Sequence, residues 1–282
     1  MVKIISDSTC DLSEDFVERY DISILPLHVV MGEDEREDGV DITPDEIYEW
    51  ADQTKSTPKT SAPSMERAIA MLEKYSSEYD HIIYFCISET MSASGNVVRL
   101  AADSLDITDK VTVINSKNLS NGIGYMVIEA ADMAQSGAEA SEIIEKINEL
   151  IPKVRSSFVI DTLTYLQRGG RCSGVLALVG GALKLHPTIL LEDGEMKVGR
   201  KYRGNISSVY MKYAKSMEDD YRNALTKRVM LVHSGCPRHD LLSVKNYLEE
   251  LGIFDEVTVM RAGSVITSHC GPGTMGIMYI TK

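Results

Sequence analysis

The chain has 282 residues, 44% of them hydrophobic, with 29 Lys and Arg against 42 Asp and Glu for a formal net charge of −13. That length suits one large or two ordinary domains with real cores, and so acidic a surface repels phosphate backbones, which argues against general nucleic-acid binding. The chain offers no apolar run of the ~18 residues that a membrane helix needs, no secretory leader in MVKIISDST, and five scattered cysteines without a CxxC pair. The cysteines fit buried thiols in a reducing cytoplasm better than disulfides or zinc.

In chain order, Val2 to Asp7 reads as a strand ending in the polar cluster Asp7, Ser8, Thr9. Asp11 and Glu14 resemble a capping box ahead of a helix over 15–20. Ile22 to Val30 reads as one strand, with Pro26 favouring an edge or a kink. Thr43, Pro44 and Glu46 fit N-cap, N1 and N3 of a helix carrying Ile47, Trp50 and Ala51. Ser64 caps another helix over 66–75. The continuous apolar run His81 to Ser88 has the length of a buried parallel strand. A helix follows Met91-Ser92-Ala93-Ser94-Gly95-Asn96, then a strand over 111–114 and helices near 125–135 and 142–153. Alternating strands and helices indicate a doubly wound parallel sheet.

The pattern changes after Phe158. A helical turn at Leu163, Tyr165 and Leu166 leads into Arg168-Gly169-Gly170-Arg171, where paired glycines allow positive φ and aim the arginine forks. An apolar segment over 175–185 follows. Strands over 189–191 and 196–202 form a hairpin about Asp193-Gly194, a strong turn dipeptide. Helices over 208–221 and 237–251 alternate with strands over 228–233, 257–260, 265–267 and 275–280. The expected architecture is α/β in two domains, 1–156 with a mostly parallel sheet and 157–282 with a mixed sheet.

Ligands of open parallel sheets bind beyond the carboxyl ends of the strands. Small hydroxyl residues gather there: Ser6, Ser8 and Thr9, then Ser88 and Ser92, then Ser116, with Thr60, Ser61 and Ser64 on a loop able to join them. Hydroxyls and helix N-terminal amides accept an anion's oxygens. The second concentration is Ser268-His269-Cys270-Gly271-Pro272-Gly273, where the histidine follows the strand over 265–267 and is held before a glycine turn. No GxSxG, Walker A, GxGxxG or HExxH pattern occurs. A hydrolase using Ser92, His269 and Asp161, or a Cys270 nucleophile, is a rival reading that nothing in the spacing demands.

Together these segments resemble the bacterial DegV family, which includes fatty-acid-binding subunits of fatty acid kinase. Asp7-Ser8-Thr9 with Asp11-Leu12, the loop Lys59 to Ser64, Met91-Ser92-Ala93-Ser94, Gly169-Gly170-Arg171 and His269 to Gly273 follow the order of that family's motifs along the whole chain. The resemblance implies two α/β domains with one long-chain fatty acid buried between them, no cofactor and no metal. Thr60, Ser61, Ser92, Arg171 and His269 would surround its carboxylate, and Arg203 would engage a separate kinase subunit. The chain would be a non-catalytic, cytoplasmic lipid carrier with at most transient membrane contact, its kinase releasing acyl phosphate for phospholipid synthesis. A lipid sensor without a kinase is the other rival. Ala93, Ser94, Gly95 and Asn115 depart from the family pattern.

Overall fold

The computed structural model describes residues 1–172, 174 and 185–282. Its first part holds strands β1 (Val2–Asp7), β2 (Ser23–Leu25), β3 (His28–Met31), β4 (Asp34–Glu37), β5 (Lys59–Ser61), β6 (His81–Cys86) and β7 (Val111–Asn115). Helices α1 (Glu14–Arg19), α2 (Pro44–Thr54), α3 (Met65–Glu78), α4 (Ser94–Ser104), α5 (Asn121–Gln135) and α6 (Ala140–Leu150) lie among and after them. The second part holds β8 (Val154–Val159), α7 (Thr164–Gly169), β9 (Leu185–Glu192), β10 (Glu195–Arg203), α8 (Ile206–Lys215), α9 (Glu218–Tyr221), β11 (Val229–Ser234), α10 (Arg238–Glu250), β12 (Val257–Arg261), α11 (Ser264–Cys270) and β13 (Thr274–Ile280).

These strands form a parallel sheet in the order β2-β1-β6-β7, a mixed sheet β10-β9-β8-β13-β11-β12 and a small antiparallel sheet β4-β3-β5. The fold is thus α/β, with the parallel sheet before the mixed one. Strand β6 sits between β1 and β7 and is buried along nearly its whole length, as a central parallel strand covered on both faces must be. Helix α5 is apolar around most of its circumference because it has no solvent face along most of its length. It packs on β1 and β6 from one sheet and on β8, β11 and β13 from the other. A single apolar cluster therefore runs from Ile4 and Ile83 through Ile123 and Ile128 to Phe158, Met230 and Met278.

Several elements differ from the expectations. The strand expected over 22–30 is two strands, β2 and β3, in different sheets. Pro26 has no N–H to continue a ladder, and the next amide, Leu27 N–H, is taken by Ser8 Oγ at 3.1 Å. Asp11 is not the cap of α1, which begins after Ser13; it sits in the left-handed region at φ 52° behind a short 3₁₀ turn. The helix expected over 208–221 is divided between α8 and α9. The segment 265–267, expected as a strand, lies within helix α11. Its β-branched residues Val265, Ile266 and Thr267 favour strands locally, but carboxylates distant in sequence hold the amides where the helix starts. Apart from Leu185, the apolar segment expected over 175–185 lies outside the described residues.

Candidate functional site

A cavity of about 460 Å³ opens where the three sheets meet, within the ~300–1,000 Å³ span of small-molecule sites. Its walls come from the loop after β6, the start of α5, the end of β5, the α5-facing surface of the mixed sheet and helix α11. Phe158, Met196, Val232 and Met278 come from strands of the mixed sheet, Ile87, Met91 and Leu119 from the loops after β6 and ahead of α5, and Val265 and Ile266 from α11. This surface offers a ligand chiefly carbon and thioether sulfur, the latter able to adapt its shape.

Thr60, Ser61, Ser92, Arg171 and His269 all border this cavity. Thr60 Oγ1 and His269 Nε2 lie 2.8 Å apart, although 209 positions separate them in the chain. Burial, reinforced by the positive charge of Arg171, pushes the His269 pKa down to about 4, so the ring is neutral at pH 7. Its Nδ1 is shut off from solvent and has no hydrogen-bond partner among the described residues. A buried unpaired N–H is disfavoured more than a buried unpaired acceptor. The favoured tautomer therefore carries its proton on Nε2 and donates to Thr60 Oγ1, leaving the threonine hydroxyl proton free to turn towards an anion. Gly169 makes this arrangement possible: a Cβ there would lie 2.3 Å from His269 Nδ1. Of the two glycines expected to need positive φ, only Gly170 has it, at 69°, ending α7; Gly169 is small for the sake of the histidine.

Ser92 follows β6, partly buried, and its Oγ accepts the Ser94 N–H at 3.2 Å, leaving its own proton available. Arg171 is exposed, with Nη1 donating to the Gly169 carbonyl at 2.8 Å. The Ser61 hydroxyl donates to Glu35 Oε1 at 3.2 Å, so its proton is already engaged outside the polar cluster. Arg203 ends β10 opposite Leu185, exposed and away from the described cavity walls. Two hydroxyls, a neutral imidazole and a guanidinium on the wall of a largely apolar chamber suit an anion with an apolar tail.

Burial places three carboxyls behind this site whose roles sequence reasoning missed. Asp7 accepts from Thr9 N–H, Ile87 N–H and Ser94 Oγ, and burial raises its pKa to about 6. It thereby anchors both the loop and the helix that flank Ser92. Asp11 accepts from Ser120 Oγ and from Gly263 N–H at 2.8 Å, and Asp38 from Ser264 N–H at 2.7 Å. These two begin α11, the helix that carries His269. Asp7 and Asp11 stand in the first motif; Asp38 lies in the acidic run Glu33 to Asp38, where nothing distinguishes it locally.

The departures have local reasons. Ser94 keeps a buried hydroxyl, bonding Asp7 and, at 2.7 Å, Tyr84 OH. At Gly95 a Cβ would meet Cys86 Sγ at 2.8 Å, so glycine lets α4 approach β6. Asn115 needs only an acceptor: its Oδ1 takes the Lys117 and Glu89 N–H groups at 3.0 and 3.3 Å. Ala93 precedes α4 without a side-chain cap. The hydrolase arrangement is not assembled, because Asp161 faces His186 Nδ1 at 3.4 Å while His269 faces Thr60. Cys270 borders the cavity, but burial pushes its thiol up to about 12 and suppresses the thiolate.

A model of the DegV family of uncharacterised proteins matches residues 1–282. A fatty acid-binding protein of Thermotoga maritima is 32% identical over 281 residues, covering 98% of this chain and 96% of that one. A DegV family protein from Thermus thermophilus, described for its fatty acid binding, superposes with a TM-score of 0.91 at 27% identity, covering 100% of this chain and 99% of the other. A stearic acid-binding protein from Eubacterium ventriosum superposes at 0.86 with 29% identity and the same coverage. With four of the five motifs lining one cavity and the match running from end to end, this chain belongs to the DegV family.

Proposed function

We propose that the chain binds a long-chain fatty acid in this cavity and presents its carboxylate to a separate ATP-dependent fatty acid kinase, which forms acyl phosphate for phospholipid synthesis. The chain itself performs no chemistry. The observation that carries the reading is one chamber, lined chiefly by apolar side chains, that Thr60, Ser92, Arg171 and His269 all border, with Thr60 and His269 in hydrogen-bond contact. Each methylene removed from water contributes about 0.8 kcal/mol, so the tail supplies most of the affinity. These polar groups offset the desolvation of the carboxylate and fix which end of the ligand faces out. Family members that bind fatty acids support the same reading. Residues 1–156 and 157–282 are taken as the two domains that close on the ligand, and exposed Arg203 as the contact for the kinase.

Mass spectrometry of an organic extract of the purified chain tests the binding. A stoichiometric fatty acid is expected, and an empty extract after incubation with fatty acids would sink the reading. Ser92→Ala and Arg171→Ala each remove a partner of a charged group, so each should weaken retention by roughly ten- to a hundredfold. Arg203→Ala should leave retention unchanged and lower acyl phosphate formation with a competent kinase; unchanged formation would remove Arg203 from the partner surface.

A further inference from the structure

The tip of the β9–β10 hairpin reaches across to the parallel sheet. The carbonyl of Gly194 accepts from two hydroxyls at once, Ser88 Oγ at 2.7 Å and Thr90 Oγ1 at 2.5 Å, and those hydroxyls lie 3.1 Å from each other. The turn is built for this contact. Asp193 and Gly194 both have positive φ, at 51° and 86°, the twist of a two-residue hairpin turn. A Cβ on Gly194 would stand 2.6 Å from Ser88 Oγ.

Ser88 is fully buried and uses every polar group it has. Its N–H donates to Asn118 O at 2.9 Å, just ahead of α5. Its carbonyl accepts from Met91 N–H at 2.9 Å and Ser92 N–H at 3.2 Å. One residue thus ties the hairpin tip to the loop that presents Ser92. Two positions beyond the tip, Met196 lines the cavity, as do Thr90, Met91 and Ser92 of the loop that the tip contacts.

We propose that Ser88 and Thr90 are positioning residues: their joint hold on the Gly194 carbonyl sets the Ser92 hydroxyl against the carboxylate of the bound fatty acid and keeps the Met196 wall closed on its tail. This rests on the fatty-acid reading above. A tie that merely joined two sheets would affect stability without altering how the ligand's headgroup is held, and the two roles separate experimentally.

The test uses palmitic acid labelled with ¹³C at its carboxyl, loaded into the wild type, Ser88→Ala, Thr90→Val and Thr90→Ser. The bound carboxyl resonance should shift in Ser88→Ala and Thr90→Val in the same direction as in Ser92→Ala. Transfer of the fatty acid to phosphatidylcholine vesicles should accelerate roughly tenfold, as one lost hydrogen bond implies. Thr90→Ser, which keeps the hydroxyl, should match the wild type in both. Leu248→Ala, in the separate core beneath α10, should lower the melting temperature without moving the resonance. Unmoved resonance and transfer rate in Thr90→Val, an exposed position that carries the test even where Ser88→Ala folds poorly, would overturn the proposal. No bound carboxyl resonance in the wild type would overturn the fatty-acid reading, and the positioning role with it.

Discussion

The uncharged state of His269 has a measurable consequence for stability. Its usual pKa of 6.5 is pushed down to about 4 in the folded chain, so between those values the unfolded chain binds a proton that the folded chain does not. Stability therefore falls as pH drops through that window, and the loss stops growing below about 4. Asp7 acts in the opposite sense. Its carboxyl is raised from 3.8 to about 6, so the folded chain binds the extra proton between those values and gains as pH falls. A single pH profile mixes the two, and comparison with His269→Gln separates them. Going from pH 7 to pH 4, the wild type's unfolding free energy should drop by roughly 3 kcal/mol relative to the variant, read by urea denaturation at each pH. A constant difference would mean that the imidazole titrates like a solvated one. At this scale much of the polar site was legible in sequence. Thr60, Ser92, Arg171 and His269 sit in compact motifs, and hydroxyls, a guanidinium and an imidazole announce an anion site by their chemistry. Asp38 was not legible, because what it binds is an amide 226 positions away.

Helix α11 shows why some elements escape a reading of local pattern. Val265-Ile266-Thr267 carries strand propensity, and the helix spans only Ser264–Cys270, too short to hold itself together in water. The amide of Gly263, the residue just before it, is instead held by Asp11 and that of its first residue, Ser264, by Asp38, in the manner of an N-cap supplied from elsewhere in the chain. The same holds in reverse for β6 and α2, both read correctly. An unbroken apolar run and the box of Thr43 with Glu46 are signals contained within the element itself. Asp38→Ala should cost about 1–3 kcal/mol of stability, the range for leaving a buried amide unpaired. Because α11 carries Val265, Ile266 and His269 to the cavity, the variant should also bind fatty acid more weakly. Hydrogen exchange at Ser264 and the amides that follow it decides the matter: faster exchange confined to α11 is expected. Unchanged exchange there would mean the helix stands without the carboxylate.

For the molecule as a whole, the question is whether its two parts melt together. Sequence alternation indicated a parallel-sheet part followed by a mixed-sheet part, but how tightly they join was not legible, because the joining contacts link distant positions. Helix α5 lies between both sheets inside one continuous apolar cluster. Asp11 and Asp38 hold α11, Thr60 meets His269, and Ser88 meets Gly194. Each of these hydrogen bonds crosses from residues 1–156 to residues 157–282, and unfolding either part alone would strand its share of buried carboxyls and apolar surface. The single tryptophan, Trp50 on α2, packs on a cluster that includes Val265 from α11, so its fluorescence reports the small sheet and its contact with the later part. Thermal unfolding followed by Trp50 fluorescence and by far-ultraviolet circular dichroism should give one coincident transition. A fatty acid bound across the junction should move both probes upward together, by the equivalent of about 2.7 kcal/mol at a free concentration a hundred times the Kd. Two separated transitions, with only one of them raised by fatty acid, would show that the ligand is held within one part and not between them.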